Sequence, residues 1–167
     1  MAQKFIHKGN PAYSFAVTLC VGFFALVIIQ ACFIQSCQAL DYRSVAPARA
    51  VMLDAPSVNA NKLYIVGQGY PVEVIVNLGD WIKVRDNQGG INWIDLKSLT
   101  TKRTVLVTLN HTEIKQAADA ASALLANVDK DVVLDLLEAN TNNGWVKVRH
   151  RDGVTGYILN TSVWGAN

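Results

Sequence analysis

Trp81-Ile82-Lys83-Val84-Arg85 recurs as Trp145-Val146-Lys147-Val148-Arg149, an offset of 64 residues, and this repetition decides the fold. Continued without gaps, the same offset aligns Gly89 with Gly153, Trp93 with Tyr157, Ile94 with Ile158 and Ser98 with Ser162. Upstream an offset of 62 fits better, pairing Val45 with Val107, Met52 with Ile114, Ala55 with Ala117, Val72 with Leu134, Glu73 with Asp135 and Val74 with Leu136. The two-residue difference falls where Leu78-Gly79-Asp80 meets the longer Asn140-Thr141-Asn142-Asn143-Gly144, a turn in which insertions are tolerated. The chain therefore contains one unit twice.

Within each copy the apolar period is two, which specifies strands. Val72, Val74 and Val76 alternate with Glu73, Ile75 and Asn77, while Ile82 and Val84 alternate with Trp81, Lys83 and Arg85. Asp86-Asn87-Gln88-Gly89-Gly90 and Arg151-Asp152-Gly153 are turn sequences, since Asn, Asp and Gly accept positive φ. Short strands separated by such turns predict an all-β protein built from two small barrels or sandwiches. A unit of about 60 residues is marginal alone, so the copies are expected to pack together across the short Thr100-Thr101-Lys102-Arg103 connection. Residues 113–126 (EIKQAADAASALLA) are Ala-rich and helical by propensity. Their counterpart in the first copy contains Asp54-Ala55-Pro56-Ser57. The repeat therefore predicts an irregular loop there, with at most a helical turn.

The N-terminus has a different character. Residues 1–13 hold Lys4, His7 and Lys8 and no acid, and residues 15–29 contain a single polar side chain, Thr18. A basic start, an apolar run and the small-residue stop Cys37-Gln38-Ala39 constitute an export signal with cleavage before Leu40. Acylation at Cys32 or Cys37, or retention of residues 15–34 as a membrane anchor, are the alternatives. All three place the body outside the cytoplasm. The expected organisation is a signal or anchor over 1–39, then domains over 41–100 and 103–164.

Composition limits the chemistry. Of the 15 Lys and Arg residues, Lys4 and Lys8 precede residue 40, leaving 13 against 13 acidic residues in the body. Such a balance argues against nucleic acid, whose binding needs a cationic excess. The cysteines are Cys20, Cys32 and Cys37, so the body has no thiol nucleophile, disulfide or cysteine metal site. His111 and His150 accompany no nucleophile motif. Asp129, Asp131 and Asp135 lack the glycine and closing glutamate of a calcium loop. No catalytic residue, cofactor or metal is expected.

The phrase Asn143-Gly144-Trp145-Val146-Lys147-Val148-Arg149, followed by Asp152-Gly153-Val154-Thr155-Gly156-Tyr157-Ile158, resembles the core of the bacterial SH3-like (SH3b) domain. The first copy departs from it with Asp80 before Trp81 and Asn92 before Trp93. The opening of the body also resembles that of small exported proteobacterial proteins of this type, and the likeness spans residues 41–164. It implies a partly open five- or six-stranded barrel per copy. It further implies a non-enzymatic binding role in the periplasm or cell envelope, towards peptidoglycan or a protein partner.

If each hairpin closes symmetrically about its turn, Lys83 faces Trp93 and Lys147 faces Tyr157 across neighbouring strands. Trp81, Lys83, Arg85 and Trp93 then share one face, as do Trp145, Lys147, Arg149 and Tyr157. Rings beside cations suit sugar rings, proline-rich peptides or anionic peptides. The competing expectation is an assembly subunit whose aromatic face is buried against a partner. Trp164 is expected to act as a structural plug.

Overall fold

The computed structural model describes residues 40–139 and 143–166; the segment 1–39, expected to be an export signal or anchor, lies outside them, as does most of the Asn140–Gly144 turn. Fourteen strands form two seven-stranded antiparallel sheets, one per copy. The first sheet contains β1 (Asp41–Val45), β2 (Arg49–Leu53), β3 (Lys62–Gly67), β4 (Pro71–Asn77), β5 (Trp81–Arg85), β6 (Ile91–Asp95) and β7 (Leu99–Thr100). The second contains β8 (Thr104–Val107), β9 (Thr112–Lys115), β10 (Leu124–Val128), β11 (Val133–Glu138), β12 (Trp145–Arg149), β13 (Thr155–Leu159) and β14 (Val163–Trp164). The orders β3-β2-β6-β5-β4-β1-β7 and β10-β9-β13-β12-β11-β8-β14 are the same topology repeated, and each copy is an SH3-like unit. Among the described residues no helix is long and apolar enough to cross a membrane.

The repeat is a repeat of cores. Val45, Met52, Val72, Ile82, Val84 and Ile94 are at most 1% exposed, and so are their counterparts Val107, Ile114, Leu134, Val146, Val148 and Ile158. Burial of one such side chain contributes about 1.5–3 kcal/mol, and each copy assembles its own cluster.

Two expectations need correction. The strict alternation over 72–77 fails beyond Val74, because the β4–β5 register slips between Val74 and Val76. This bulge turns Val76 outward opposite Lys83, where it is exposed. The same slip lies between Leu136 and Glu138 in the second copy. Residues 113–126 contain no helix, but the loop is shorter than expected: Thr112–Lys115 and Leu124–Val128 pair as strands around the turn at 116–123. Ile114, buried in the core, requires the strand despite the helical propensity of its neighbours.

The two copies are joined by buried contacts. Ser44 Oγ lies 2.7 Å from Thr104 Oγ1 and 2.6 Å from the Lys102 carbonyl oxygen, while Thr104 Oγ1 lies 2.6 Å from the Gly69 carbonyl oxygen. The Arg103 guanidinium sits over the Tyr42 ring and donates to the Gly165 carbonyl at 2.9 Å. Trp164 meets Tyr42 edge-on, so it packs between the copies, in keeping with a structural role.

Candidate functional site

The hairpin registers define the outer face. In the first copy Lys83 is paired with Trp93, and Ile82 with Ile94 on the core side. The second copy pairs Lys147 with Tyr157 and Val146 with Ile158. The Lys83 ammonium stands 5.6 Å from the Trp93 ring centroid, and that of Lys147 stands 5.8 Å from the Tyr157 centroid. Both distances fall within cation–π range, about 6 Å. Both residues are half-buried, so part of each remains accessible to solvent.

Each pair belongs to a longer cross-strand row. The first runs Val76, Lys83, Trp93, Leu53, Lys62, and the second Glu138, Lys147, Tyr157, Lys115, Leu124. Directly opposed residues share a face, so each row is a continuous strip over five strands. Leu53 and Lys115, the inner neighbours of the two rings, were not identifiable from the sequence as site residues. Their positions depend on β2–β6 and β9–β13 pairings that no hairpin turn announces.

The remaining candidates are distributed unevenly. Trp81 is half-buried, whereas Trp145 is only 8% exposed and offers a ligand little area. Arg85 donates twice to Glu73, at 3.0 and 3.1 Å, and Arg149 donates to Asp135 at 3.0 Å. These repeat-equivalent ion pairs hold both arginines at the strand ends. Lys147 is held by Glu138 at 2.9 Å, and that hydrogen bond raises its pKa above the ordinary lysine value. Lys83 faces Val76 where Lys147 faces Glu138, and among the described residues no carboxylate pairs with it.

The first copy also has a polar cluster absent from the second. Tyr64 Oη donates to Asp86 at 2.5 Å and accepts from the Asn92 amide at 2.7 Å. Asp86 Oδ1 also caps the hairpin turn by accepting from the Gln88 and Gly90 amides. Burial, then the bond to Asp86, pushes the Tyr64 hydroxyl far above its usual pKa, so it remains a donor. The repeat-equivalent residues are Ala126, His150 and Gly156, and the cluster has no counterpart.

His111 and His150 pair with Asp129 and Asp152 at 3.4 and 3.2 Å. Among the described residues no three His, Cys, Asp or Glu side chains are grouped to hold a metal ion.

Three solved structures are similar to the chain. NlpC2 from Trichomonas vaginalis is 18% identical with a TM-score of 0.35, over 77% of this chain and 49% of that one. NlpC1 from the same organism is 17% identical with a TM-score of 0.35, over 77% and 47%. An NlpC/P60 family protein from Bacillus cereus ATCC 10987 is 18% identical with a TM-score of 0.34, over 74% and 55%. The chain spans about half the length of these structures. No curated protein matches it. The bacterial SH3 domain matches it twice, over residues 46–100 and 113–165, at the two units whose cores and hairpins repeat. The chain belongs to the bacterial SH3 domain family and carries two tandem copies of that domain.

Proposed function

We propose that the protein is a non-enzymatic binding module of the bacterial cell envelope, exported by its N-terminal segment and engaging peptidoglycan through the Lys–aromatic strips. Membership of the bacterial SH3 domain family supports an association with the cell wall. The observation that carries the reading is the duplicated pair, Lys83 over Trp93 and Lys147 over Tyr157, at the same position of both copies. Docking of the copies uses Tyr42, Ser44, Thr104 and Trp164 and leaves both rings partly open. A half-open ring stacks on a sugar face, and the adjacent ammonium meets a carboxylate. Two such strips on one chain add avidity.

The test is co-sedimentation of the purified protein with peptidoglycan sacculi, beside a Trp93→Ala, Tyr157→Ala double variant. Saturable binding that the folded variant loses supports the reading. Absence of binding by the parent sinks it and leaves the peptide or protein partner. A role as an assembly subunit is favoured by one feature, the exposed Leu63 and Ile65 on edge strand β3.

A further inference from the structure

The junction between the copies encloses space that neither copy forms alone. A cleft of about 870 Å3 is lined by Ser44, Gln68 and Thr100 from the first copy and its connection, and by Asp131, Arg149 and Arg151 from the second. A second hollow of about 510 Å3 is lined by Tyr64, Ile65 and Tyr70 against Leu106 and Val133. Gln68, Asp131 and Val133 border both, so the two are one groove. Repeat-equivalent hairpin turns close its ends, Asn87-Gln88 at one and His150-Arg151 at the other.

The groove is polar at one end and apolar at the other. At the first end Lys102 and Arg149 share the Asp135 carboxylate, at 2.7 and 3.0 Å. Arg151 adds a third cation, 88% exposed and only 3.9 Å from Asp152. Among the side chains that line this end, those three cations face two carboxylates, Asp135 and Asp131, an excess of one, and Arg151 is the cation with the weakest ion pair. At the far end Tyr64 and Tyr70 present rings beside Ile65, which is 61% exposed.

Asp131 stands between them. Its φ is 68°, in the left-handed region that disfavours a side chain, and its counterpart in the first copy is Gly69, with φ 78°. The backbone adopts that conformation in both copies; only the second has a carboxylate residue there, and Asp131 lines both hollows. A carboxylate there accepts N–H donors.

Edge strand β3 decides between a glycan and a polypeptide. It pairs with β2 alone, so its other backbone edge is unpaired in the sheet, and its residues Ile65 and Gly67 line the groove. An unpaired strand edge pairs with another extended chain. The buried hydroxyl contacts and the Tyr42–Trp164 contact hold the walls in place, so binding orders little of the protein.

We propose that this groove is a second binding site, separate from the Lys–aromatic strips, and that it takes an extended segment of a partner protein. The segment carries an apolar side chain towards Ile65 and Tyr70 and acidic residues towards Arg149 and Arg151, with its backbone amides meeting Asp131.

The test is titration of the full-length protein with two fluorescent pentapeptides. Each has leucine at one end and a glycine spacer; one ends in two aspartates and the other in two lysines. The acidic peptide binds about tenfold more tightly, and the preference weakens in high salt. Arg151→Glu and Ile65→Asp, both on exposed side chains, each weaken it about tenfold. Asp131→Gly weakens it too without loss of fold, since glycine suits the backbone there. The Trp93→Ala, Tyr157→Ala variant binds the peptide as the parent does. Equal binding of the two peptides, or unchanged affinity in Arg151→Glu and Ile65→Asp, overturns the site. Displacement of the peptide by soluble wall fragments overturns its assignment to a protein segment. Sacculi binding by the same Arg151→Glu and Ile65→Asp variants reads the strips independently.

Discussion

Trp164, in the last strand of the second copy, stands edge-on to Tyr42, in the first strand of the first, with ring centroids 5.3 Å apart and planes at 85°. The Arg103 guanidinium also sits over the Tyr42 ring, 5.3 Å from its centroid. The contact ties the two ends of the repeat together. Trp164→Ala removes the ring contact and much of the cover over Tyr42. The expected loss is about 2 kcal/mol, below the range for a fully buried tryptophan because Trp164 is half-exposed. Urea unfolding measures it. A wild-type midpoint in the variant would show that the copies are held by other contacts.

Ser44 and Thr104 make three short contacts with two hydroxyl protons: one to each other, one to the Lys102 carbonyl and one to the Gly69 carbonyl. One of the three must therefore lack a proton at any instant. Thr104→Val keeps the shape and removes the donor to Gly69, leaving a carbonyl at the junction without it. The expected cost is about 1–3 kcal/mol, and Ser44→Ala is expected to act in the same direction. Thermal denaturation of both variants checks this; no change in either would mean that water replaces the lost donor.

Asp135 links the connection to the second sheet through Lys102 and Arg149. Burial pushes its carboxyl up, but the hydrogen bonds from Lys102 and Arg149 outweigh this and hold it below the usual carboxylate range. A depressed folded pKa stabilises the fold above the unfolded value, about 4, and that contribution disappears as pH falls through the lower folded value. The stability difference between the parent and Asp135→Asn is therefore constant near neutrality and shrinks in acid below about pH 4. Urea titrations from neutral to acid pH read this; a difference that persists unchanged in acid would remove Asp135 from the linkage.

What the sequence disclosed follows from which interactions are local. The hairpins closed by Gly89 and Gly153 set the Lys83–Trp93 and Lys147–Tyr157 registers, because a turn fixes every pair that follows it. Twelve core positions matched across the repeat for the same reason that they are buried. Val76 misled because a bulge changes the face of every later residue, and no residue type at Ile75 signals it. For residues 113–126 the repeat correctly sets aside the helix that alanine propensity suggests, but the expected loop is too long, because the β9–β10 and β9–β13 pairings that make its ends strands are not announced by local sequence. Trp145 shares its face with Lys147 as the period demands, yet it is buried, since burial depends on neighbours from elsewhere in the fold. The junction groove was invisible for the same reason: Gln68 and Asp131 lie in different copies.

The two Lys–aromatic strips differ at one position, and the difference ranks them. Lys83 faces Val76, so its ammonium is free to meet an anionic group while it rests on Trp93. Lys147 faces Glu138 and is bound to it at 2.9 Å. A ligand carboxylate at the second strip must displace Glu138 and is repelled by it. A tryptophan ring also holds a cation better than a tyrosine ring. Both effects favour the first copy, so Trp93→Ala is expected to reduce sacculi binding more than Tyr157→Ala. Glu138→Val gives the second strip the residue found in the first, and should tighten its binding several-fold, the scale of an exposed ion pair. Co-sedimentation with the Trp93→Ala background isolates the second strip, where Glu138→Val must raise the bound fraction. A fall or no change would mean that Lys147 does not contact the ligand, and would leave stacking on Tyr157 as the only interaction to which that strip contributes.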